Sequence, residues 1–314
     1  MHLFDLCEST PGGATSGPSP GVPGWVLGCF RRRSITFFTG AEDASTEVIW
    51  LQSRGLTADF RRSPPGVRAA SRAALRELAP AELAALARVE GGLARTRWDG
   101  QLMHWSDWVA FQTHAKWPEP GRLTRVGGCM VELAPSGAYV EDWRYQPSRG
   151  GPLIGLELLD ERDARDGTLL HRGGGLVICG EHAGFVRGRP EPLSQGRLED
   201  YVLAHARDDA GLARAFACDA AYGTAAALRG EFSVSLATLP WREGQPLLSL
   251  EGFAEPRDGV LVQRVQEEGR WLERRFLVDT LERSLDVALE TAVAPATVEW
   301  FDREVGAGLV PLAE

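Results

Sequence analysis

The clearest alternation of apolar and polar positions lies in residues 47–61. With Arg54-Gly55 as a two-residue turn, Gln52 faces Thr57, Leu51 faces Ala58, Trp50 faces Asp59 and Ile49 faces Phe60. Successive side chains of a strand point to opposite sides. One face of this hairpin therefore carries Ile49, Leu51, Ala58 and Phe60, and the other carries Trp50, Gln52, Thr57, Asp59 and Arg61. A third turn residue would scramble both faces, so the sorting itself selects the two-residue register. The turn is expected to place Gly55 at positive φ.

Similar short runs predict strands at 25–38, 93–98, 101–112, 122–132, 137–145, 153–160, 167–172, 175–180 and 184–189. The β pattern resumes at Phe232, Val234 and Leu236, with further runs at 246–253, 258–266 and 270–278. Strands this short and evenly spaced indicate an antiparallel barrel or sandwich rather than βαβ units.

Helical spacing interrupts the β pattern three times. In 67–89, Val67, Ala70, Ala74, Leu75 and Leu78 share one face. Pro80 then opens a short helix carrying Leu83 and Leu86, which Gly91-Gly92 is expected to stop. This insertion reads as a lid over one end of a barrel. A second helix is expected over 195–215, on Leu198, Tyr201, Val202 and His205. Asp279 followed by Glu282 has capping-box spacing and predicts a helix through 290. The expected organisation is a flexible lead-in over 1–24, a first barrel over 25–192 that contains the insertion, and a region over 193–314. That last region holds a helix, a second β unit and a C-terminal helix, with Trp300 and Phe301 docking on the barrel. One barrel or two fused barrels satisfy this pattern.

Composition narrows the function. The chain has 314 residues and a formal net charge of −9, which argues against broad nucleic-acid or anionic-membrane binding. Arg31-Arg32-Arg33 and Arg61-Arg62 are local exceptions; alternation keeps either run from forming a basic stripe, most are expected in solvent, and one of each run could face inward as an anion clamp. The five cysteines are dispersed and odd in number, and no secretory leader or apolar run near 20 residues is visible. A reduced, cytoplasmic protein without a membrane span is expected, as a monomer or homodimer. Ten tryptophans raise the expectation of a small-molecule site, since indoles both fill cores and cover planar ligands.

Three segments carry candidate chemistry. On the hairpin's polar face, Gln52 and Asp59 can fix donors, Arg61 can hold a carboxylate and Trp50 can cover a ring. In Tyr139–Tyr145, alternation puts Tyr139, Glu141, Trp143 and Tyr145 together. A Glu141 partly desolvated by aromatic neighbours suits acid/base work. His104, in the run Met103-His104-Trp105-Ser106-Asp107-Trp108, is a candidate base. Histidine and acidic spacing matches no metal-binding motif, and Gly173-Gly174-Gly175 lacks the context of a phosphate loop. No metal and no cofactor are expected.

Trp50-Leu51-Gln52, Ala58-Asp59-Phe60-Arg61, Tyr139-Val140-Glu141-Asp142-Trp143 and the 176–187 hairpin resemble the lipocalin-like (calycin-type) β-barrel proteins. Gly24-Trp25 approximates the opening motif of that group, and the insertion and second β region are additions to it. The resemblance implies a ligand cavity inside a barrel. The expected activity is that of a cofactor-independent isomerase, cyclase or lyase on a hydrophobic small molecule; the alternative is a non-catalytic carrier. Asp59, Glu141 and His104 are the expected proton-transfer groups. Trp50, Gln52, Arg61, Tyr139 and Trp143 are expected to bind the substrate.

Overall fold

A computed structural model describes residues 1–9, 21–64, 69, 71–114, 119–193, 196–227, 230–288, 299 and 303. Val67, Ala70, Trp300 and Phe301 lie outside the described residues. The fold is mainly antiparallel β, with one sheet strongly curled into a half-barrel. No helix among the described residues is long and apolar enough to cross a membrane.

The first sheet holds β1 (Gly28–Phe37), β2 (Glu42–Asp43), β3 (Glu47–Gln52), β4 (Leu56–Arg62), β5 (Glu90–Trp98), β6 (Met103–Ala110), β7 (Arg122–Val126), β8 (Cys129–Leu133) and β9 (Tyr139–Tyr145). Its order is β6-β5-β4-β3-β1-β9-β8-β7, with β2 on β1. The two outermost strands meet where Met103 bridges Gly121, through N–H···O bonds of 2.8 and 2.9 Å.

The β3–β4 hairpin has the register that face sorting demands. Trp50 pairs with Asp59, Leu51 with Ala58 and Gln52 with Thr57. Its turn differs from expectation, because Gly55 is not at positive φ. A side chain is excluded there by space. A Cβ on Gly55 would stand 2.3 Å from Asp279 Oδ1, and the Gly55 N–H donates to Asp279 Oδ2 at 3.1 Å.

The second sheet holds β10 (Leu153–Asp163), β11 (Leu169–Arg172), β12 (Gly174–Cys179), β13 (His182–Arg187), β14 (Asp219–Ala225), β15 (Phe232–Ala237), β16 (Val260–Glu267) and β17 (Arg270–Glu282). Its order is β15-β14-β13-β12-β10-β17-β16, with β11 on β10. The segment expected as a strand at 246–253 is irregular. It joins the two edges of this sheet by bridging Ser233 to Pro246 and Phe253 to Gln263. Its Leu247, Leu248, Leu250 and Phe253 fill the core beside Leu3, Phe4, Leu6 and Cys7 of α1 (Leu3–Ser9). The start of the expected flexible lead-in is thus a docked helix, held because its apolar residues are buried.

The helix expected from Asp279 does not form over its described part, where strand is followed by irregular chain over 283–288. β17 continues to Glu282, which pairs with Leu153 of β10. Thirteen residues of ladder outweigh a local capping pattern. The remaining α-helices among the described residues are α2 (Pro80–Ala87), α3 (Leu198–Ala204) and α4 (Asp209–Ala215), and the first part of the expected insertion is a 3-10 helix at Arg72–Glu77. They pack into one cluster through Leu83, Leu86, Leu198, Val202, Leu212 and Phe216. The single helix expected over 195–215 is two, and Gly91-Gly92 belong to β5 rather than ending α2.

The two sheets meet through the apolar face of the hairpin. Ile49, Leu51, Ala58 and Phe60 share a core with Val177, Cys179, Val186, Ala220 and Tyr222. Gly184 lets this layer close, since a Cβ there would lie 2.6 Å from the Phe60 ring. With one face committed to the second sheet, the polar face must turn into the curl of the first.

Candidate functional site

That curl encloses a cavity of about 1000 Å³. From the hairpin, Trp50, Thr57, Asp59 and Arg61 line it; from β9, Tyr139, Glu141 and Trp143 do. Trp50, Asp59 and Glu141 therefore surround one space. The helices contribute to its border with Ala87, Arg88, Arg197 and Glu199.

Trp50 is 3% exposed and Trp143 2% exposed, so both form the floor. The Trp50 indole N–H donates to Thr57 Oγ1 at 2.9 Å and to Gln52 Oε1 at 3.2 Å. Gln52 lies behind this wall rather than in the lining. Its amide donates to Ser53 O, Leu56 O and Thr96 Oγ1 at 2.8–3.1 Å, which places it as an anchor for Trp50 and the turn. Gln52, expected to bind the substrate, is thus outside the lining, with its hydrogen bonds taken up within the hairpin and β5.

His104 also stands apart. β6 presents Trp105 to the cavity and turns His104 the other way, where a ring nitrogen lies 2.6 Å from Asp99 Oδ2 at the surface. A register shift opposite Leu93–Arg95, with Asp107 at φ 53°, then brings Trp108 and Ala110 onto the lining. The segment marked by its histidine thus contributes its tryptophans instead.

Of the two arginine runs, Arg32 and Arg61 point inward. The Arg32 side chain is 4% exposed, against 53% for Arg31 and 69% for Arg33. Neither inward arginine is an open anion clamp. Arg32 binds Glu141 Oε1 at 2.8 Å and Asp43 Oδ2 at 3.0 Å. Arg61 forms a bidentate pair with Asp59, at 2.7 and 3.0 Å. Burial opposes the Arg61 charge, but Asp59, Glu141 and Glu90 outweigh it and hold the guanidinium more firmly protonated than usual.

The residue that sequence reasoning missed is Glu132. It sits on β8 directly opposite Glu141 on β9, is 5% exposed and lines the cavity. The Tyr139 hydroxyl and the Trp143 indole N–H each donate to it at 3.2 Å. Among the described residues it has no ion-pair partner. Burial first, then the Glu141 charge, push its carboxyl up to about 8. The missed signal was Gly127-Gly128. The expected single strand at 122–132 is a β7–β8 hairpin that turns at these glycines, with Gly127 at φ 56°. Gly121 makes room for the acid, since a Cβ there would meet Trp105 at 2.8 Å and Glu132 Oε1 at 2.9 Å.

Chemically, the site holds two facing carboxyls in unlike surroundings: Glu141 with a guanidinium partner, and Glu132 with only neutral donors. Unlike environments of this kind separate the acid and base roles of two similar groups. Among the described residues, no cluster of three or more His, Cys, Asp or Glu is arranged to hold a metal ion. The second sheet buries charges of its own, Arg187 with Asp219 at 2.7 Å and Arg274 with Glu161 and Glu267, but these neutralise one another. No protein-family model, curated protein or solved structure matches the chain.

Proposed function

We propose that the protein is an enzyme that moves a proton on a small molecule held in this cavity, as an isomerase, cyclase or lyase working without a cofactor. The observation that carries the reading is the Glu132–Glu141 pair, two opposed carboxyls with different partners in one cavity. Glu132, protonated at neutral pH, is the acid; Glu141 and Asp59 are the candidate bases. A positioned carboxyl of this kind contributes about 10²–10⁴-fold in rate. Trp50, Trp105 and Trp143 supply walls that orient a ring or chain. A curled antiparallel sheet around a lined cavity supports the lipocalin-like barrel as the scaffold, and five free cysteines support a reducing, cytoplasmic setting. The lining carries six carboxyl groups, so the ligand expected to be hydrophobic is better described as amphiphilic.

The test begins with molecules that the protein retains from a cell extract, identified by mass spectrometry. Incubated with the protein in D₂O, at least one should take up solvent deuterium at carbon or convert to an isomer, followed by proton NMR. Glu132→Gln should slow this more than tenfold while retaining the ligand. Retention without exchange or conversion would establish the carrier reading instead, and undiminished turnover in Glu132→Gln would remove the assigned acid.

A further inference from the structure

We propose that the cavity selects a cation: a protonated or quaternary amine carried on an apolar body. This rests on reading the cavity as a small-molecule site and adds the chemistry of its ligand.

Three observations converge. The first is charge. Asp59, Glu90, Glu119, Glu141 and Glu199 line the space with protonated Glu132, against Arg61, Arg88 and Arg197 in the lining and Arg32 behind it on Glu141. The arginines face acids: Arg88 is bidentate to Glu199 at 3.0 and 2.6 Å, Arg197 lies 3.9 Å from Glu199, and Arg61 is bidentate to Asp59 with Glu90 at 3.9 Å. An anionic ligand would have to displace Asp59 from Arg61 and then face Glu90 and Glu141.

The second is the arrangement of the indoles. Trp50 stands edge-to-face with Trp143, centroids 5.3 Å apart at 69°, and with Trp105, 6.5 Å apart at 72°. Trp50 thus stands steeply inclined to both of its indole neighbours, and all three line the cavity. The negative faces of aromatic rings attract a poorly hydrated cation, and tryptophan does so best. The third is Glu132, which lies beside these indoles. It touches the Trp143 N–H, and with Trp105 it crowds the vacant Cβ position of Gly121. Ionised, it has no cation within ion-pair distance among the described residues, the nearby Arg61 being committed to Asp59; a ligand cation supplies one.

Binding and ionisation of Glu132 are then linked. The cation favours the carboxylate, so ligand entry draws the Glu132 titration down towards neutral pH, where the group can still give and take a proton, and by reciprocity a higher pH tightens binding. For a carboxyl that titrates at about 8, the ionised fraction rises about tenfold between pH 7 and pH 9, and affinity should follow.

The experiment uses the full chain and three probes of matched shape: choline, its neutral isostere 3,3-dimethylbutan-1-ol and the anion 3,3-dimethylbutanoate. Binding is read from indole fluorescence and indole N–H chemical shifts. Choline should bind at least tenfold more tightly than either other probe and should tighten about tenfold from pH 7 to pH 9. Glu132→Gln should abolish that pH dependence, and Trp105→Ala, at a half-buried wall position, should weaken choline more than tenfold. Equal or absent binding of all three probes, or preference for the alcohol or the carboxylate, overturns the proposal. So does unchanged pH dependence in Glu132→Gln. If that variant fails to fold, the three-probe comparison on the unaltered protein decides alone. If cation preference fails while Glu132-dependent deuterium uptake persists, only the ligand class falls and the enzymatic reading stands.

Discussion

Replacing Glu132 by Gln should make the protein more stable at alkaline pH, although the side chain is buried and hydrogen-bonded. A carboxyl raised from its ordinary 4.5 to about 8 is favoured by the fold in its protonated form. Its stabilising contribution is therefore complete below pH 4.5 and is lost as pH rises through 8. That interval, at about 1.4 kcal/mol per pH unit, amounts to about 5 kcal/mol once the group is fully ionised, and to about 3 kcal/mol at pH 7. Gln cannot ionise, and its carbonyl oxygen still accepts from Tyr139 or Trp143, which both donate to Glu132. The new amide protons lack assigned acceptors, a pH-independent cost of about 1–3 kcal/mol. The variant should be no more stable than the parent at pH 5, close to it at pH 7 and clearly more stable at pH 9. Urea unfolding followed by far-UV circular dichroism at these three values measures the difference directly. A stability difference constant from pH 5 to pH 9 would refute the reasoning, because it would mean that Glu132 titrates alike in the folded and unfolded chains.

Two further substitutions probe what holds the cavity and the sheets. Arg32→Met leaves Glu141, itself 4% exposed, without its guanidinium, and should cost about 3–5 kcal/mol in chemical denaturation. Adding Glu141→Gln should recover much of that loss; strictly additive effects would show that the pair is not coupled. Gly184→Ala places a Cβ 2.6 Å from the Phe60 ring and should lower stability by about 1–3 kcal/mol, and an unchanged melting temperature would mean that the sheets are not in contact there.

The hairpin register and its two faces follow from residues 47–61 alone, because only one pairing sorts the apolar from the polar side chains and a one-residue slip destroys it. The same local rule groups Tyr139, Glu141 and Trp143, which all reach the cavity. Periodicity does not say which face looks inward. That was decided when Phe60 and Leu51 packed on the second sheet, leaving Trp50 and Asp59 to the curl. Nor does periodicity see long-range pairing. Asp279 and Glu282 carry a helix signal over a few residues, and the ladder to β10 overrides it. Glu132 reads as an ordinary strand acid until the turn at Gly127-Gly128 folds β8 back against β9 and sets it opposite Glu141. The sequence by itself determined which side chains travel together on each strand, since that depends only on the two-residue repeat of the backbone. The tertiary structure alone decided which of those groups meet, because a buried carboxyl's chemistry depends on burial and on neighbours that other strands supply.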